Sequence, residues 1–193
     1  MAPNGNVFNE DVMNNFNLQT IMKNIKHICL ISAFFIFNAY NAQVAIGKET
    51  VEGGSTVLDF DNVPGNTKGL ILPATSGLPS GGSLANGTFV FDTTDSKVKV
   101  YENNTWKPLT DTGDSSAVSV NSSNESGNGV IMGDSTSSAD GVLVLESGTK
   151  AMILPKIASP HINVKNPYPG MICYDTASKT LAVFDGTVWS YWK

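Results

Sequence analysis

The chain has 193 residues, with 12 Lys, no Arg, 17 Asp and Glu together, and a net charge of −5. Phosphate binding needs clustered cations and base readout commonly uses the arginine fork, so this balance excludes nucleic acid as the main partner. Charged residues are only 15% of the chain, against 18 Gly and 9 Pro, which excludes a long charged helical bundle and points to a turn-rich, all-β protein.

Residues 1–21 are polar and Asn-rich and read as a spurious or disordered extension. Met22 opens a second possible start, with the basic stretch Met22–His27, the apolar run Ile28–Phe37 and a small residue, Ala42, before a plausible cut. That is the layout of a secretory signal peptide over 22–42. Ten apolar residues reach only about 15 Å as a helix, half of a bilayer core, so cleavage is expected and no membrane span remains afterwards. The mature protein is expected to be secreted, extracellular or at the cell surface. Cys29 lies inside the apolar run, not at its end, and does not read as a lipid-anchor cysteine. Cys173 is then the one thiol of the mature chain, which rules out an intrachain disulfide.

The rest of the chain is organised by an internal repeat. Val44–Gly47 corresponds to Val130–Gly133, and Thr56–Phe60 loosely to Gly141–Leu145. Lys68–Pro73 matches Lys150–Pro155. Gly87-Thr-Phe-Val-Phe-Asp-Thr93 matches Gly170-Met-Ile-Cys-Tyr-Asp-Thr176, and the match runs on without a gap to Trp106 and Trp189 at an offset of 83. Internal duplication gives two β repeats, 44–109 and 130–193, joined by a Ser/Asn/Gly-rich linker over 110–129 in which Ala117–Val120 is a candidate short strand. Within a unit, Lys97–Glu102 alternates polar and apolar residues, the period of a half-buried strand. Asn103-Asn104 and Asp185-Gly186 are tight-hairpin signals, because these residues tolerate positive φ. The expected architecture is two tandem repeats of short antiparallel hairpins and meanders behind an N-terminal signal helix. Tyr101 should meet Trp106, and Phe184 should meet Trp189, across the final hairpins. A β unit of about 65 residues without staples is marginal alone. Each must stack on its twin, pair edges or oligomerise, most simply with another copy of itself.

Candidate chemistry is sparse. His161 is the only His of the mature chain, so no zinc-ligand spacing exists, and no Gly-x-Ser-x-Gly elbow accompanies it. Asp92-Thr-Thr-Asp95 and Asp111-Thr-Gly-Asp114 bring oxygens together but do not match a helix-flanked calcium loop, and read as Asx turns. No enzyme activity, cofactor or metal is expected. The aromatics Trp106, Trp189, Tyr191 and Trp192 are candidate sugar-stacking faces, since each ring offers a flat apolar surface with a polar handle. Trp106 and Trp189, at matching repeat positions, read first as closures of the hydrophobic cores and only second as stacking faces. Trp192 has no evident counterpart in the first unit and reads as an end cap or a docking contact.

At Gln43–Gly47, Thr67–Pro73, Gly87–Thr93 and Val100-Tyr101…Trp106, the chain resembles a family of secreted repeat proteins common in Bacteroidota and often found upstream of tail-fibre-like regions. Their pattern runs Gln-Val-Gly-Ile-Gly, Lys-Gly-(apolar)-Leu-Pro-Arg, Gly-(apolar)-(apolar)-Tyr-Asp-Thr and a strand ending in Trp. Here Ala45 replaces the first Gly, and Ala74 and Lys156 replace the Arg after Pro. The resemblance implies β structure, extracellular or surface residence, and a fibre-like or adhesive role without catalysis. It also implies a short O-glycosylation signal, which Thr93, Ser135 and Thr176 are placed to satisfy. The expected function is therefore a secreted, non-enzymatic structural or adhesive module that self-associates, as a trimer in tail-fibre-like assemblies, or that meets other surface proteins. The alternative is a carbohydrate-binding module using exposed aromatics, with glycans as partners.

Overall fold

The computed structural model describes residues 18, 21–25, 43–120, 123 and 129–193. The chain divides into two compact units, Met1–Asn41 and Ala42–Lys193. In the first, residues 18 and 21–25 are helical, and the expected apolar run Ile28–Phe37 with its cut after Ala42 lies outside the described residues. No helix among the described residues is long and apolar enough to cross a membrane.

The second unit is a β-solenoid of stacked repeats, and both repeats carry the same seven strands in the same order. Repeat 1 holds β1 (Val44–Ile46), β2 (Thr56–Phe60), β3 (Leu70–Ile71), β4 (Ala74–Thr75), β5 (Phe89–Asp92), β6 (Lys97–Glu102) and β7 (Thr105–Pro108). Repeat 2 holds β8 (Val130–Met132), β9 (Leu143–Leu145), β10 (Ala151–Met152), β11 (Lys156–Ile157), β12 (Met171–Asp175), β13 (Thr180–Phe184) and β14 (Trp189–Trp192), with a helical turn at Pro160–Asn163.

The second half of each repeat is the expected meander. β5, β6 and β7 run antiparallel, as do β12, β13 and β14. Asn103 and Asn104 both adopt positive φ, 48° and 59°, which lets a two-residue turn follow the strand twist. The turn sets Tyr101 opposite Trp106 with ring centroids 5.3 Å apart, and Phe184 sits opposite Trp189 at the same 5.3 Å. The first half of each repeat departs from the antiparallel expectation. β1 lies parallel to β2, β8 parallel to β9, β4 parallel to β5 and β11 parallel to β12. A period of two marks a strand but carries no direction, and the connections of nine or more residues that precede β2 and β9 suit a crossover, not a hairpin.

The repeats are joined by strands as well as by packing. β10 of repeat 2 pairs in parallel with β2 of repeat 1, and β3 of repeat 1 pairs antiparallel with β12 of repeat 2. The largest core cluster is shared: Leu72, Phe91 and Val98 from repeat 1 meet Ile172 and Val183 from repeat 2. A smaller cluster of Ile157, Cys173 and Ala182 belongs to repeat 2 and is covered by Val164 and Trp189.

Residues 110–119, the start of the stretch expected to link the repeats, form a packed strap. The Thr110 hydroxyl accepts the Val98 N–H at 3.1 Å, the Gly113 N–H donates to the Ser96 carbonyl at 2.9 Å, and Val118 packs on the shared core. The strap also touches repeat 2, where the Asp114 N–H donates to the Asp185 carbonyl at 3.0 Å. At this crossing the two backbones are so close that a Cβ on Gly113 would lie 2.0 Å from the Asp185 oxygen, and one on Gly186 (φ 101°) 1.9 Å from the Asp114 oxygen. Ala117–Val120 forms no strand; residues 116 and 117 turn instead, with the Val118 N–H bonded to the Ser115 carbonyl.

Because Phe91 is fully buried in a core that both repeats build, Phe91→Ala is expected to cost about 3–5 kcal/mol. The urea midpoint should fall for probes in either repeat together; a loss confined to repeat 1 would contradict the shared core.

Candidate assembly surface

Asp92 and Asp175 occupy the same place in the two repeats, at the end of the central strand, and both are buried. One Asp92 carboxylate oxygen accepts the Thr94 N–H at 2.9 Å and the Thr94 hydroxyl at 2.6 Å, and the other takes the Lys99 ammonium at 2.7 Å. Asp175 accepts the Ala177 N–H at 2.9 Å, the Ser178 hydroxyl at 2.7 Å and the Ser159 N–H at 2.8 Å. Burial alone would raise both carboxyls. The hydrogen bonds outweigh it, led by Lys99 and Thr94 for Asp92 and by Ser178 and Ala177 for Asp175, and hold both below the ordinary value. Lys99 bridges Asp92 and Asp95; burial would lower its ammonium, and the two carboxylates raise it. These acids organise turns, as the Asx reading expects. Asp59 is likewise buried and ion-paired with Lys48 at 2.5 Å. Among the described residues no group of three or more His, Cys, Asp or Glu is arranged to hold a metal.

Cys173 is fully buried, and desolvation, with a smaller contribution from Asp175, pushes its thiol up to about 12. A thiol so protonated is a poor nucleophile and behaves as a small apolar core residue. His161 is exposed on the helical turn, with its Nδ1 2.9 Å from the Tyr191 hydroxyl.

The aromatic candidates fall into two settings. Trp106 and Trp189 are half-buried against Tyr101 and Phe184, and the Trp106 indole N–H donates to the Pro79 carbonyl at 3.3 Å. Tyr191 and Trp192 are exposed and line an open groove of about 440 Å³ with Pro108–Asp111 and Ser190. The Trp192 indole N–H donates to the Leu109 carbonyl at 2.8 Å. Leu109 is 83 positions earlier, so the repeat counterpart that sequence comparison does not reveal is an apolar residue in direct contact with Trp192. The structure does not gather the four aromatics at one place. Of the hydroxyls singled out, Ser135 and Thr176 are exposed, whereas the Thr93 hydroxyl is half-buried and donates to the Thr75 carbonyl at 2.9 Å.

The larger uncovered feature is an apolar face that residue counting misses, because its Val-Leu pair also occurs in a buried strand of the other repeat. Val57 and Leu58 on β2 are 1% and 0% exposed, whereas their counterparts Val142 and Leu143 are 61% and 39% exposed. The signal that finds them is the repeat itself: two copies of one pattern in a chain have unequal neighbours. Val130, Ile46 and Ile71 are exposed as well.

Residues 131–193, about a third of the chain and nearly all of repeat 2, match the family model of a phage tail like trimerisation region. No curated protein matches the chain. No solved structure matches it. At a coarse level the match supports a tail-fibre-like kinship.

The buried turn acids set an acid limit on stability. Asp59, Asp92 and Asp175 have folded values below 3.8, their value in an unfolded chain. The stability they contribute is fully present above that value and is lost as pH falls through the lower, folded values. Urea midpoints should hold steady from neutral pH to about pH 5 and drop steeply below about pH 4, and Asp175→Asn should flatten the drop.

Proposed function

We propose that this chain is a secreted, non-enzymatic, fibre-like structural module that self-associates, with the trimer as its basic assembly. The carrying observation is the match of repeat 2 to a trimerisation region in a β-solenoid whose repeat 2 leaves apolar strand residues uncovered. Uncovered β-branched and leucine side chains on a short-stranded sheet are what an obligate contact between chains covers. The signal-like segment over 22–42 supports export and surface residence, and the sparse, turn-bound acids and the inert Cys173 favour a structural role over catalysis.

A second reading, glycan binding at the groove of Tyr191 and Trp192, rests on the exposure of those two rings at one end of the fold. Their polar atoms already bond to His161 and Leu109, which fixes the rings and leaves their faces as the only stacking surface. Glycan-array binding lost in Trp192→Ala would support that reading, and an array without signal would end it.

Light scattering of the purified chain at micromolar concentration tests the first reading. The expected mass is three times the 20.5 kDa of the full chain, or three times that of the cleaved form. A monomer across the whole concentration range would overturn it.

A further inference from the structure

Inside the chain, repeat 2 joins repeat 1 through two strand pairings. β10 lies along β2, with Ala151 opposite Thr56 and Met152 opposite Leu58, and the Ile153 N–H donates to the Leu58 carbonyl at 2.9 Å. β3 lies along β12, with Ile71 opposite Met171 and Leu70 opposite Ile172, and the Leu72 N–H donates to the Gly170 carbonyl at 3.0 Å. Both repeats hold the same strands in the same order, so every strand in these pairings has a twin: β9 for β2, β10 for β3 and β5 for β12.

The twins are not paired the same way. Among the described residues, β9 pairs with β8 alone, β10 with β2 alone and β3 with β12 alone. β5 pairs with β6 and, through Phe91 and Asp92, with β4, so the edge beside Phe89 and Val90 has no strand partner among the described residues. The side chains tell the same story. Val57 is covered by repeat 2, whose Gly133 comes so close that an added Cβ would be 3.3 Å from the Val57 methyl, while its twin Val142 is exposed. Where β2 has the ion-paired Asp59, β9 has Val144. Gly141–Leu145 carries no charge and no Pro, the residues that ordinarily guard an exposed edge.

We propose that a second copy of this chain fills these edges head to tail: β3 of one copy adds in parallel to β9 of its neighbour, and β5 adds antiparallel to the neighbour's β10. The junction between copies repeats the junction between repeats. Transposing the internal register sets Leu70 opposite Leu143 and Met152 opposite Phe89. Two seven-stranded sheets of one design result, β1–β2–β10 continued by β5–β6–β7 of the neighbour with β4 beside its β5, and β8–β9 continued by its β3–β12–β13–β14 with β11 beside its β12. Each open edge meets a different strand, so the contact is heterologous, closing as a ring if its rotation permits and otherwise continuing as a filament. This inference rests on the self-association reading and names the surfaces that carry it.

The test mixes two single variants, Leu143→Cys and Leu70→Cys, each in a Cys29→Ser background; strand partners about 5 Å apart suit a disulfide. The mixture is expected to give a disulfide-linked dimer that neither variant gives alone. A dimer from either variant alone, or none from the mixture while light scattering still reports an oligomer, would overturn the head-to-tail junction and leave the self-association reading standing. A protein that is monomeric throughout would remove both. Because Leu70 is half-buried, a second measurement uses Leu143→Lys, on an already exposed side chain. It should keep the wild-type melting curve under dilution to concentrations at which both proteins are dissociated, and raise the concentration needed for association at least tenfold; unchanged association would overturn the proposal.

Discussion

Every backbone N–H and C=O along a strand edge needs a partner, and a unit of about 65 residues has too few strands to satisfy its own edges. The arrangement follows from this constraint. Repeat 1 lends β3 to repeat 2 and takes β10 in return. The exchange also merges the interiors, so that Leu72, Phe91 and Val98 share one core with Ile172 and Val183 of repeat 2. The largest cluster belongs to neither half alone, and repeat 2 keeps only the small cluster of Ile157, Cys173 and Ala182 to itself. The constraint is met fully at the boundary inside the chain and only partly at the outer faces, which is why chemically equivalent strands differ so widely in exposure.

The duplicated turn shows how one design survives a change of means. Both repeats end their central strand in a buried aspartate whose carboxylate gathers the donors of the following turn. Repeat 1 neutralises that charge with the Lys99 ammonium, and repeat 2 instead solvates it with a further hydrogen bond, from the Ser159 N–H at the start of the Pro160–Asn163 turn. A buried carboxylate tolerates either, since both supply hydrogen bonds to the ionised form. The helical turn between β11 and β12 thus has a local physical role, in place of the lysine that repeat 2 does not use there.

Much of this was legible in the residues. The alternation over Lys97–Glu102, the Asn103-Asn104 turn and the Tyr101–Trp106 pairing follow from period, positive-φ tolerance and cross-strand packing, and all three are local. The parallel pairings were not legible, because a strand of three residues has the same pattern whichever way its partner runs. β3, β4, β10 and β11, at two residues each, are shorter than any period. The strap over 110–119 reads as polar and therefore loose, yet its order comes from backbone hydrogen bonds that composition does not encode. Trp192 has no aromatic counterpart, because the offset of 83 that aligns Trp106 with Trp189 sets it against Leu109, and that two repeat-equivalent residues touch is visible only in the fold. The uncovered face was hidden because its Val-Leu pair also occurs in a buried strand.

The reciprocal lending of strands also governs the order of events as the chain is made. Ribosomes extend a polypeptide at about 5–20 residues per second, and most domains fold as they emerge. Here β3 is complete at Ile71, but the strand it pairs with begins at Met171, so the earlier strand waits through the synthesis of 99 residues between them. Such separation slows folding, because the entropy of closing a long loop is spent before any contact rewards it. Neither repeat can complete its sheets until nearly the whole chain is available, although the β5–β6–β7 meander, whose pairings are all local, needs nothing beyond Pro108.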